Sequence, residues 1–66
     1  MKGRVEHIRI NNMQPKKCYG FICGEDGYMY YFSPANIRAF QVGSKVEFSI
    51  GQDEKGYYAW DIKNIS

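Results

Sequence analysis

The sequence predicts an all-β barrel. Three observations carry that expectation: five short strand-like runs, turn signals at regular spacing between them, and no stretch with helical periodicity. Chain length agrees. The 66 residues make one domain, 1–66, near the lower limit for an unassisted hydrophobic core, and a single sheet curled on itself closes a core economically at that size. An aromatic fraction of 17%, including six tyrosines, suits strands better than helices.

The first strand spans Gly3–Ile10. Its alternation slips, because Val5 has one parity while Ile8 and Ile10 have the other. A bulge between them is expected to return all three to the core and to leave Glu6, His7 and Arg9 facing outward. Asn11–Lys16 is polar and contains Pro15, so the first hairpin closes there.

The second strand, Lys17–Cys23, puts Lys17, Tyr19 and Phe21 on one face and Cys18, Gly20 and Ile22 on the other. The aliphatic set is complete without the aromatics, which makes Tyr19 and Phe21 candidates for a displayed surface. A strand buried on both faces, with these rings in the core, fits the same residues equally well. Gly24-Glu25-Asp26-Gly27 is a hairpin signal. The third strand is Tyr28–Ser33, and with Tyr30, Tyr31 and Phe32 all aromatic, alternation leaves its register open. Pro34–Ile37 breaks that strand as a helical turn, with Ile37 tucked beneath the sheet.

The cleanest alternation lies in Lys45–Ile50, with Val46, Phe48 and Ile50 inward and Lys45, Glu47 and Ser49 outward. Gly51–Gly56 reads as a polar loop. A last strand, Tyr57–Ile65, closes the chain with Ile62 inside; Trp60 fits the core and the aromatic face equally.

Charge is unevenly distributed. Residues 1–20 hold five basic groups (Lys2, Arg4, Arg9, Lys16, Lys17) against Glu6, a balance of +4, whereas residues 21–66 hold four basic and six acidic groups, a balance of −2. The positive charge therefore travels with the first two strands, which suits an anionic partner. No apolar run approaches the ~20 residues of a transmembrane helix, and no secretory signal is visible, so no membrane association is expected. Cys18 and Cys23 fall on opposite faces of one strand and do not readily bond to each other. A single His and the absence of a CxxC pair argue against zinc, and no cofactor is expected. Two unpaired thiols fit a reducing, cytoplasmic setting.

Lys17-Cys18-Tyr19-Gly20-Phe21-Ile22 resembles the first ribonucleoprotein motif of cold-shock domains, K-G-[FY]-G-F-I. Gly3-Arg4-Val5 resembles that family's opening G-x-V, and Tyr30-Tyr31-Phe32-Ser33 lies, without a gap, where the second motif of type V-F-V-H falls. Val42-Gly43-Ser44-Lys45-Val46-Glu47-Phe48 is similar to V-G-x-x-V-x-F, and Gly56-Tyr57-Tyr58-Ala59 with Asp61-Ile62 to the closing G-P-x-A-x-N-V. The resemblance covers essentially the whole chain, in the right order and spacing.

The resemblance implies a five-stranded antiparallel barrel of the oligonucleotide-binding type that holds single-stranded RNA or DNA on its second and third strands. It also implies Tyr31 outward and Tyr30 and Phe32 inward. Tyr19, Phe21 and Tyr31 would then stack on bases, at ~1–3 kcal/mol each, while Lys17, Arg9 and Lys16 follow the phosphates. The departures are specific. His7 stands where the family has Trp, Ser33 where it has His, Pro34 where an aromatic commonly follows, and Cys18 where it has Gly. His7 can still stack, and it carries charge once protonated. Losing two platforms would weaken binding by orders of magnitude if stacking terms add.

Two functions follow as expectations. One is a cold-shock-like chaperone that binds single strands with low sequence specificity and keeps them unpaired by mass action. The alternative is a protein-interaction module, a homodimer being one version, in which His7, Tyr19, Phe21 and Tyr31 form the hot spot. Nothing in the sequence suggests an enzyme: Glu25-Asp26 and Asp53-Glu54 read as turn chemistry, and no Ser/His/acid set comes together.

Overall fold

A computed structural model describes residues 1–11, 13, 14, 18–33 and 37–65. The strands are β1 (Lys2–Arg9), β2 (Tyr19–Gly24), β3 (Met29–Phe32), β4 (Lys45–Asp53) and β5 (Gly56–Asn64), with one 3₁₀ turn at Ile37–Ala39 between β3 and β4. They close as β1-β2-β3-β5-β4, with β4 returning to β1 through Lys2–Glu47, Gly3–Val46 and Arg4–Lys45. The expected five-stranded barrel of the oligonucleotide-binding type is therefore present. One pairing departs from the antiparallel expectation: β3 and β5 run parallel, joined at Tyr31–Tyr58.

Two bulges set which side chains point inward. In β1 the register shifts between Val5 and His7, so Glu6 is the extra residue. Val5 is fully buried and Ile8 packs against the core as expected. Ile10 does not. It lies past the last β1–β2 pair, Arg9–Tyr19, and is exposed. There the chain turns away, with the Asn11 side-chain carbonyl accepting from the Met13 and Gln14 backbone N–H groups at 3.0 and 3.1 Å.

The second bulge sits in β5. Glu47 pairs with Lys63 and Ser49 with Trp60, so Phe48 alone faces both Asp61 and Ile62. Asp61 takes the left-handed conformation, φ 51°, that such an extra residue can require. Its insertion lets Ala59 and Ile62 both turn toward the core.

The core is built from Val5, Ile22, Tyr30, Phe32, Ile37, Phe40, Val46, Phe48 and Ala59, with the buried thiol of Cys18. Phe32 meets Phe40 edge-on at 5.9 Å, and Tyr30 lies 5.3 Å from Phe48. Tyr30 and Phe32 thus point inward. Ile50 was expected with Val46 and Phe48; it keeps their parity, opposite Ala59, but lies beyond the layer they fill and stays exposed. The polar loop expected at Gly51–Gly56 is shorter than the composition suggests. β4 continues through Asp53, and only Glu54-Lys55 turns, held by the Lys55 N–H donated to the Asp53 carboxylate at 2.9 Å.

The hairpin between β2 and β3 forms as expected. Gly27 N–H donates to Gly24 O at 2.9 Å, and Gly27 itself has φ 87°, a conformation that glycine adopts without strain. The Asp26 carboxylate accepts from the Tyr28 N–H and from the Tyr30 hydroxyl, tying the turn to a core ring. The hydrogen bond to Asp26 and burial push the Tyr30 phenol up to about 12; the same bond from Tyr30 lowers the Asp26 carboxyl against the opposing effect of desolvation. The helical turn expected from Pro34 begins, among the described residues, at Ile37, which is buried; positions 34–36 lie outside them. No helix among the described residues is long and apolar enough to cross a membrane.

Candidate functional site

The outer face of β1, β2 and β3 is set from inside the barrel. Gly20 lies between β1 and the ring of Phe32: a Cβ there would sit 2.4 Å from the His7 carbonyl oxygen and 2.6 Å from Phe32 Cε1. Only glycine lets the two strands and the core ring meet so closely. With residue 20 inward, Tyr19 and Phe21 must point outward. The alternative in which these rings form core does not occur.

Register then aligns the rings across three strands. His7 pairs with Phe21 and Phe21 with Tyr31, while Arg9 pairs with Tyr19. The four rings form one mosaic. Tyr19 and Tyr31 are nearly parallel, 23° between planes at 6.0 Å; Phe21 meets both edge-on at 6.0 Å; and His7 tilts against Tyr19 and Phe21 at 6.3 and 6.4 Å. Packing side by side leaves Tyr19 and Phe21 half-buried, with Tyr31 and His7 exposed. The β1 bulge is what brings His7 into this row, since Glu6 takes up the extra position.

Arg9 borders the mosaic and is exposed. Lys16 and Lys17, the other expected phosphate contacts, lie outside the described residues. Further along the β1 side come Lys2 and Arg4, with Lys45 of β4 opposite Arg4. Arg4 Nε lies 3.4 Å from the Glu6 carboxylate, an exposed pair that contributes little to stability. Ser33, a candidate binding residue at the second motif's His position, is exposed and donates its hydroxyl to the Cys18 carbonyl. Its proton is thus committed to holding β2 and β3 together, and only the oxygen's acceptor capacity remains.

Beyond Tyr31 the surface falls into a groove of about 520 Å³ between β3 and β5, lined by Tyr31, Ser33, Tyr58, Trp60, Asp53 and Asp61 among others. Tyr58 pairs with Tyr31 on one side and Gly51 on the other, so the row runs His7–Phe21–Tyr31–Tyr58 from β1 to β5. Trp60 is 54% exposed and belongs to this outer surface. Sequence reasoning missed Tyr58 and left Trp60 unplaced. A signal existed: Tyr58-Ala59-Trp60 repeats the aromatic–small–aromatic order of Tyr19-Gly20-Phe21, with the small residue inward in both.

Both cysteines are free, Cys18 buried and Cys23 half-buried. Among the described residues no three His, Cys, Asp or Glu side chains come together to hold a metal ion. No family model matches the chain, and no curated protein or solved structure does either.

Proposed function

We propose that this chain is a cold-shock-like protein that binds single-stranded RNA or DNA with low sequence specificity and acts as a nucleic-acid chaperone. The observation that carries the reading is the mosaic of His7, Tyr19, Phe21 and Tyr31, four rings within 6.4 Å of their neighbours on one outer sheet face, with Arg9 at its border. Unpaired bases present flat π-faces that stack on such rings largely without regard to sequence, and cations beside the rings follow the backbone. A duplex hides those faces, so binding draws the equilibrium toward the open strand. The motif order described above supports the same reading.

A second reading is a protein-interaction or self-association module on the same face. The observation favouring it is Met29, which has the outward parity of Tyr31 on β3 and is 51% exposed, extending the ring face with an apolar side chain. Fluorescence anisotropy of a labelled pyrimidine-rich oligonucleotide separates the two. The first reading predicts binding that weakens with salt and is lost in the Tyr19→Ala/Phe21→Ala variant while circular dichroism stays unchanged. Concentration-dependent sedimentation of the protein alone, undisturbed by oligonucleotide, would favour the second.

A further inference from the structure

We propose that the groove between β3 and β5 is a base-reading subsite that takes one nucleobase bearing an exocyclic amino group, stacked on Trp60 with its amino group donated to Asp61. The inference rests on the reading that the adjoining ring face binds single strands, and it names the base that one position of the strand would carry. Continuity places the subsite on the strand's path: the groove opens at Tyr31, already part of the ring mosaic, and Tyr58 is the next member of the same cross-sheet row. Gly51 makes room for it, since a Cβ there would lie 2.3 Å from Tyr58 Cζ; the Tyr58 ring therefore lies against β4 and leaves Trp60 as the open wall. The volume, about 520 Å³, is in the range of small-molecule sites.

Charge decides which part of a nucleotide enters. The β1 side of the face carries Lys2, Arg4 and Arg9, while the groove carries Asp53 and Asp61. Carboxylates repel phosphates, so the backbone is held toward β1 and a base is left to fill the groove. Asp53 already accepts the Lys55 N–H. The Asp61 carboxylate makes no hydrogen bond or ion pair with any described side chain or backbone group, and the β5 bulge sets it at the groove wall beside Trp60. A carboxylate is an acceptor only, and it suits the amino groups of cytosine, adenine and guanine. The pairing edge of uracil or thymine offers it one N–H between two carbonyl oxygens, which repel it.

The test compares labelled oligocytidine and oligouridine heptamers by anisotropy at low salt, with emission from Trp60, the sole tryptophan, read in parallel. Oligocytidine is expected to bind about tenfold more tightly and to quench Trp60. Asp61→Asn should reduce the ratio to about one without weakening oligouridine, because asparagine tolerates the left-handed backbone at this position. Equal affinities with silent Trp60 emission, or a ratio unchanged in Asp61→Asn, would overturn the subsite and leave the ring face standing. Failure of both oligomers to bind would refute the ring face and the subsite together.

Discussion

Phe21→Ala, set beside Phe32→Ala, separates the outer rings from the core. Phe21 neighbours all three other rings of the mosaic, 6.0 Å from Tyr19 and Tyr31 and 6.4 Å from His7. Its ring is half-buried by those neighbours and lies outside the barrel. Cross-strand aromatic pairs contribute ~0.2–1 kcal/mol each, so removing the ring should cost the fold roughly 1–2 kcal/mol. A chain of this length is stabilised by roughly 3–10 kcal/mol, and it should stay folded. Binding should suffer more. Loss of one stacked base at ~1–3 kcal/mol raises the Kd about 5- to 150-fold. Phe32→Ala is the counterpart, because Phe32 is 1% exposed and packs edge-on against Phe40. Emptying that site costs ~3–5 kcal/mol, a large share of that stability. Urea denaturation and anisotropy measured on both variants give the comparison. Wild-type affinity in folded Phe21→Ala, or equal destabilisation by the two changes, would refute this division of labour.

Gly20→Ala should cost about 2–3 kcal/mol and lower the Tm by roughly 10–20 °C, since its methyl would meet the His7 carbonyl oxygen and Phe32; a thermal melt reads this directly. Salt dependence follows from the cations. If Arg9, Lys16 and Lys17 each neutralise a phosphate, the log–log slope is about −2, and raising salt from about 50 to about 200 mM weakens binding roughly 20-fold. Tyr30 and Asp26 shape stability against pH. The raised Tyr30 pKa gives stability that is complete below the phenol's ordinary value near 10 and lost as pH climbs through about 12. The lowered Asp26 pKa gives stability that is complete above the ordinary carboxyl value and lost as pH falls through the depressed one. Tyr30→Phe should flatten both limbs of the urea midpoint plotted against pH.

Much of this was legible in the residues, and the parts that were not have local causes. Val46 and Phe48 alternate with polar neighbours and are buried as alternation requires, and the parity slip in β1 announces its own bulge. Alternation alone misplaces Trp60, because reading back from Ile62 points it inward whereas the extra residue at Asp61 reverses that parity; only the likeness of Tyr58-Ala59-Trp60 to Tyr19-Gly20-Phe21 points it outward. Ile10 and Ile50 have core parity and apolar side chains, yet both are exposed. Parity fixes a direction but not whether anything lies there to cover the side chain, which depends on where neighbouring strands end. The register of Tyr30-Tyr31-Phe32 followed only from the family resemblance, since three aromatics in a row carry no alternation of their own. The groove was invisible for a further reason: it arises from the parallel meeting of β3 and β5, which are far apart in the chain.

The central claim is that single strands lie across the outer rings, and aromatic ¹H–¹³C spectra recorded during oligonucleotide titration test it most directly. Ring currents of stacked bases should shift His7, Tyr19, Phe21 and Tyr31 at saturation and leave the inward rings of Tyr30, Phe32 and Phe48 nearly unmoved. Binding that shifts other residues while those four rings stay still would contradict it, as would no shift at all at high oligonucleotide concentration.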